Sequence, residues 1–273
     1  MKKLLAFCLL LVVTSGVFIS CQSNEDSTSV TLVSDNVRSQ LVGLGFDVVK
    51  HPAINFQDGY LVEGDIYLTQ SDLASMKPAM RLPVAEQYST NQLVTALPRT
   101  VTVYMPTTFS AAYFSAIDEA ISRYNAENLQ IKFQRVTSSS GAGITFTRLS
   151  RSLERQGVLG SSGFPTSAGN PYNNIQMSGV LQSTYGLTVN GIATIMAHEM
   201  GHCIGFRHTD YYNRAISCGG STSNEGAGTV GANLIPGTPS TATLAAQSWM
   251  LACTDGSNRY FNADDKVALN YLY

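Results

Sequence analysis

Three of the four histidines in this chain fall in one short run, His198-Glu199-Met200-Gly201-His202-Cys203-Ile204-Gly205-Phe206-Arg207-His208. On a helix, residues four apart leave the same face, so the imidazoles of His198 and His202 can hold one metal ion between them. Glu199 sits beside them, close enough to work on a water at that metal without being a ligand. Gly205 is free to take a positive φ, which ends a helix and turns the chain. That turn lets His208 come back as a third ligand. Three neutral imidazoles leave the fourth corner of a zinc tetrahedron open, which a catalytic zinc needs and a structural zinc avoids. Two histidines at helical spacing are often only surface or core residues, and His-Glu-x-x-His alone has false positives. The third histidine, at a fixed offset beyond a glycine, separates this run from them. His51 stands apart and reads as an ordinary residue.

These side chains need elements to position them. The apolar pattern predicts a helix over about Val189 to Gly205. Ahead of it come a strand at Thr100 to Met105, ended by Pro106, and a helix from about Ser110 to Asn125 with Tyr113, Ile117, Ala120 and Tyr124 on one face. Strands follow at Gln130 to Val136 and Ile144 to Leu149. The tract Gly157 to Gly179 is rich in Gly, Ser, Asn and Pro, with weak strand signals near Val158 and Ile175. After the histidine run, a long Gly-rich stretch reads as irregular to about Gln247. A last helix starts at Asn262, where Asp265 completes a pattern like the capping box. Upstream, a short helix at Asn36 to Leu44, a strand-like run from Tyr60 to Leu68 and a helical turn at Asp72 to Met76 are expected. A connector follows from Met76 to Gln92. Strands interleaved with helices give an α/β (α+β) class.

The run from His198 to His208 resembles the motif of the metzincin metallopeptidases, and its helix is similar to the bacterial branch named for the sequence HEIGH, with Met200 in place of Ile. The resemblance covers roughly Thr100 to Tyr273 and implies a catalytic domain over 98–273, with a twisted, mostly parallel sheet, an active-site helix and a Met-turn beneath the histidines. Met250, in Ser248-Trp249-Met250-Leu251, is the only methionine after the motif and is taken as that residue. Gly157 to Phe164 would be the edge strand that pairs with an extended substrate. Some relatives carry a zinc-binding Tyr two residues past the Met; Ala252 stands there, so that feature is not carried over. The implied activity is that of a Zn2+ endopeptidase acting on protein or peptide, with Glu199 as general base. Asp210 reads either as a residue that orients a ligand histidine or as one on a helix or loop surface. The rival reading is a catalytically silent surface lipoprotein that uses the fold to bind proteins or glycans. Intact Glu199 argues against it.

The rest of the chain sets the context. Of 273 residues, 44% are hydrophobic and 13% charged, with net charge −2, so no basic footprint points to nucleic acid. Lys2 and Lys3 precede an apolar run from Leu4 to Val13, too short to span a bilayer and shaped like a secretory signal over 1–20. Phe18-Ile19-Ser20-Cys21 resembles a bacterial lipobox, so Cys21 is expected to carry the lipid that anchors the protein in a membrane. Residues 21–33 then form a polar tether. The expected location is the cell envelope, as an outer-membrane or cell-surface lipoprotein, and the expected state is a monomer. Cys218 and Cys253 flank the irregular stretch and are expected to pair, leaving Cys203 as a small buried side chain. Residues 34–97 hold enough apolar side chains to fold, either as a propeptide over the cleft or as a structural domain beside it. Some metzincins are kept latent by a prosegment cysteine on the zinc. With Cys21 acylated, latency here would need steric cover or a carboxylate such as Asp47, Asp58 or Asp65.

Overall fold

The computed structural model describes residues 30–273, apart from 45, 47, 50, 76–86, 223, 226–229, 240 and 241. The leader, Cys21 and Asp47 therefore lie outside the described residues.

Tyr60 to Leu68 shows no alternation of apolar and polar residues because both of its faces are covered. It folds as a hairpin, not as one strand. Helix α1 (Asp35–Leu44) is followed by β1 (Ile54–Phe56), β2 (Gly59–Val62) and β3 (Ile66–Thr69), which form an antiparallel sheet in that order. Glu63 and Gly64 both take positive φ and turn the chain so that Val62 pairs with Ile66. On one face Val62, Ile66 and Leu68 pack with Leu41 and Leu44 of α1, while on the other Leu61 packs with Leu149 and Leu153. Helix α2 (Gln70–Ser75) continues directly from β3, where the sequence suggests a turn somewhat later. The expected connector contains β4 (Tyr88–Ser89).

The larger layer is a five-stranded sheet. Its members are β5 (Arg99–Tyr104), β6 (Ile131–Val136), β7 (Ile144–Arg148), β8 (Gly160–Ser161) and β9 (Asn174–Met177), in the order β6-β5-β7-β9-β8. The first four in that order run parallel, and the edge strand β8 runs antiparallel to β9. Right-handed crossovers of parallel strands need helices, and α3 (Ala111–Ala126) supplies one between β5 and β6. Its Tyr113, Ile117, Ala120 and Tyr124 are all buried. A short helix α4 (Arg151–Arg155), capped by Ser150, lies between β7 and β8 and escapes the sequence pattern. Helix α5 (Val189–Cys203) packs on α3 and is apolar almost all round, as a helix inside a core must be. The stretch after it is less irregular than expected: α6 (Ala215–Cys218) and β10 (Asn233–Leu234) lie within it, β10 pairing with β4. The chain ends in α7 (Ala263–Leu272), whose N-cap Asn262 and Asp265 form the capping box the sequence suggests. Among the described residues, no helix is long and apolar enough to cross a membrane.

Candidate metal centre

Thr188 caps α5, its Oγ1 accepting from Gly191 N at 3.2 Å. From there to Cys203 every residue after Asn190 is buried, so the two histidines on one face of this helix have little rotational freedom. Gly205 takes φ 109° and ends the helix. The returning chain is fastened twice: Phe206 N donates to Gly201 O at 2.9 Å, and Arg207 N donates to Tyr88 O at 2.8 Å. That β4 contact, bridging Ser89 to Phe206, delivers His208 opposite the other two imidazoles. The ring centroids of the three lie 4.7, 4.8 and 5.2 Å apart.

The tautomers follow from the partners. His198 Nδ1 donates to Trp249 O and His202 Nδ1 to Phe206 O, both at 2.8 Å, and His208 Nδ1 faces the Glu225 carboxylate. With each Nδ1 carrying the proton, each Nε2 presents a lone pair inward. The Nε2 atoms of His202 and His208 are 3.2 Å apart, close to the ~3.3 Å between neighbouring ligands of a tetrahedral zinc with bonds of about 2.0–2.1 Å. Two ring nitrogens at that distance must share a proton or hold a metal ion between them. The donor set therefore fits a metal ion.

A fourth donor is already there. Asp65, in the turn between β2 and β3, places Oδ2 3.1 Å from His208 Nε2 and 3.9 Å from His198 Nε2. The ligand atoms of Asp65, His198, His202 and His208 all lie within 4.8 Å of one another. Oδ1 of Asp65 is buried without a hydrogen-bond partner among the described residues, while Oδ2 is the oxygen that faces the histidines. Of the latency candidates among the described residues, Asp58 and Asp65, the second is the one at the histidines. Asp58 instead accepts from the hydroxyl of Tyr67.

Burial pushes the His198 imidazole down to about 4, and burial together with the neighbouring rings holds His202 well below its ordinary value. His208 goes the other way. Burial disfavours its charge, but Glu225 and Asp65 outweigh that and raise it to about 10. Without an ion, the proton on His208 supplies the positive charge that a metal would otherwise bring. Asp65 is held down at about 2, the attraction of His208 and Arg214 overcoming its burial.

Glu199 is buried beside the centre, its Oε2 accepting from Ser162 Oγ at 2.7 Å. Gly160 has to lack a side chain, since a Cβ there would sit 2.5 Å from Glu199 Oε1. Burial, and then the charge of Asp65, raise the Glu199 carboxyl well above the usual carboxylate range. Met250 is fully buried under α5 with Sδ against Gly201, and its carbonyl accepts from Thr209 N at 2.8 Å. The turn that carries it is braced by Asp265 of α7, which accepts from Ser248 Oγ at 2.7 Å and Trp249 N at 3.3 Å. Buried Gln87 joins the same cluster, donating to Ser248 Oγ and to Asp265.

Asp210 does not orient a ligand histidine. Its carboxylate turns away, accepting from Ala252 N at 2.9 Å and Ser217 Oγ at 2.6 Å, and so ties the Met250 turn to α6. Glu225 holds His208 instead. It is fully buried between Arg207 and Arg214, whose nitrogens approach it at 3.4 and 2.8 Å. No periodicity or fixed offset from the motif marks Glu225, Arg214 or Ser162 in the sequence. Cys218 and Cys253 form a disulfide, and Cys203 is a buried free thiol.

Residues 60–273 match the family described as dual-action HEIGH metallo-peptidase. The chain belongs to this family. It is thus a metallopeptidase, a hydrolase whose centre needs a metal, and the matched stretch includes Glu63 and Asp65 as well as the histidines. Among solved structures, it is similar to myroilysin at 16% identity and a TM-score of 0.40, over 67% of this chain and 96% of that one. It is also similar to high choriolytic enzyme 1, a hatching-enzyme zinc-protease of the medaka fish Oryzias latipes. That likeness has 15% identity and a TM-score of 0.39, over 71% of this chain and 98% of that one. Both likenesses are distant. No curated protein matches the chain in sequence.

Proposed function

We propose that this HEIGH metallopeptidase is a zinc endopeptidase in which His198, His202 and His208 hold the ion and Glu199 moves the proton. The carrying observation is the convergence of three Nε2 lone pairs whose Nδ1 atoms are all tied back. Bound there, zinc supplies Lewis acidity, lowering the pKa of coordinated water towards about 7 and polarising a peptide carbonyl. Glu199 accepts the water's proton as attack begins and delivers it to the leaving amine nitrogen. Ser162 Oγ holds Oε2 and leaves the other oxygen for that transfer. Burial raises the proton affinity of the carboxyl, as suits a group that must take and return a proton.

Endopeptidase action is supported by what lies along the sheet edge. Ser162 N donates to Asp65 O at 3.1 Å, and Tyr67 N donates to Ser162 O at 3.0 Å. An internal stretch of chain thus runs past the histidines with residues on both sides, as an internal stretch of substrate would. The same contacts support reading the N-terminal segment as a cover over the cleft, released by cleavage. Its end belongs before Gln87, since residues 87–94 are knitted into the larger domain by Gln87, by Tyr88 and by Val94 N donating to Tyr273. We place the protein outside the cytoplasm, in the cell envelope, tethered through Cys21. The Cys218–Cys253 bridge supports an oxidising compartment.

The test separates base from ligand. Glu199→Ala should keep one zinc per chain while losing peptidase activity by roughly three or more orders of magnitude, and His202→Ala should lose both. Near-parental turnover by Glu199→Ala on casein would refute the mechanism.

A further inference from the structure

Beside the histidines lies a cavity of about 260 Å³, walled by Thr194, Ile195, His198, Trp249 and Leu251, with Arg214 at its rim. Arg214 is 2% exposed, and its partners fall into two groups. Glu225, from its own domain, accepts from Nη1 at 2.8 Å. The other partner belongs to the covering segment: Glu63 Oε2 accepts from Nη1 at 3.1 Å, and the Glu63 backbone oxygen accepts from Nη2 at 3.2 Å. Nε of Arg214 is buried with no hydrogen-bond partner among the described residues.

Two carboxylates face the Arg214 guanidinium within 3.1 Å. One is Glu225, which also serves Arg207 and His208, and the other is Glu63 of the covering segment. When the segment leaves, it removes Glu63 along with Asp65. Arg214 then loses one of these two carboxylates, and its Nη2 loses its acceptor. A desolvated, partly unpaired arginine is costly, and that cost is relieved by any carboxylate that enters the cavity. The remaining carboxylate of the lining is Glu199, which is reserved for the proton.

We propose that Arg214 is the specificity-determining residue of this peptidase: it receives a side-chain carboxylate of the substrate where Glu63 sits in the intact chain, so that the enzyme cuts proteins and peptides next to Asp or Glu. This rests on the peptidase reading above. A side chain, and not a terminal carboxylate, is the occupant because Glu63 reaches Arg214 from within a continuous chain that passes on along the sheet edge.

The experiment uses the full-length chain with zinc, carrying Glu63→Gln and Asp65→Asn to loosen the cover, and a proteome-derived peptide library read by mass spectrometry. Asp and Glu should be enriched at one position flanking the cut by roughly tenfold, the discrimination that one charge-assisted hydrogen bond supplies. Adding Arg214→Gln should slow cutting overall, since Glu225 loses a cation beside His208, and should erase the acidic enrichment among the cuts that remain; the titration below reads the same contact without turnover. A parallel calorimetric titration of the metal-free protein with a peptide of residues 59–69 should show roughly tenfold weaker binding when its Glu63 is replaced by Gln. Cutting without acidic enrichment would overturn the assignment and leave the peptidase reading standing. Enrichment that survives Arg214→Gln, or cuts confined to free C-termini, would overturn it as well. No cutting by the zinc-loaded Glu63→Gln, Asp65→Asn protein would overturn the peptidase reading itself, and this inference with it.

Discussion

Replacing Asp65 by Asn should convert the intact chain from a slow peptidase to a fast one. The carboxylate lies 3.1 Å from His208 Nε2 and fills the position at the histidines that a substrate carbonyl must reach. Coulomb attraction across 3.1 Å is about 5 kcal/mol at an effective dielectric near 20, and desolvation takes back part of it. Breaking a buried pair typically costs ~3–5 kcal/mol. Taking about 3 kcal/mol as the loss to the covered state, the open fraction rises by roughly 150-fold. Asn keeps the shape of the turn, and Glu63 still holds Arg214, so the segment stays folded and the gain stops once the cleft is mostly open.

The assay compares intact full-length protein, checked by mass, as parent, Asp65→Asn and Asp58→Asn, each carrying one zinc, on a quenched fluorescent peptide. Asp58 bonds the hydroxyl of Tyr67 away from the centre and should leave the rate where it is. An Asp65→Asn protein no faster than its parent would refute the cover. So would an equal gain from Asp58→Asn, since the effect would then be loosening of the segment in general and not release of the centre.

Other consequences follow from the same geometry. His208 is raised to about 10 and Glu199 is raised by burial, so each binds its proton more tightly folded than unfolded; the stability this gives is lost as pH rises through the folded values. Thermal melting of metal-free protein should therefore fall by several degrees between pH 7 and pH 10, zinc should flatten the trend by replacing the His208 proton, and a flat metal-free curve would contradict the charge assignment. Glu225→Gln removes the charge that orients His208 and should weaken zinc binding about 10–100-fold in a chelator competition, with unchanged affinity counting against its role. Cys218→Ser with Cys253→Ser opens a loop of 35 residues and should cost about 3–4 kcal/mol of stability, read as a lower melting temperature that reductant no longer changes.

The histidine run is legible because its geometry is local. Helical period puts His198 and His202 together, and one glycine turn returns His208, whatever the rest of the chain does. The capping role of Asp265 is legible for the same reason, whereas its grip on the Met250 turn depends on α7 docking there and has no local signature. Tyr60 to Leu68 reads as one strand because burial on both faces erases the alternation that would reveal a hairpin, and the reversal rests on Glu63 at positive φ, a poor signal from a residue that seldom goes there.

Asp210 shows the opposite failure. Two residues past a ligand, it is near the centre in sequence but turns to Ala252 and Ser217, while Glu225, seventeen residues past His208, does the work. The choice between them is set by charge. A buried carboxylate can stand against His208 only where cations offset its desolvation, and Arg207 and Arg214 supply them at Glu225 and not at Asp210. Arg214 takes its second carboxylate from Glu63, which makes the cover and the pocket two sides of one electrostatic arrangement. Such pairings obey no spacing rule, because they join residues that only the folded chain brings together.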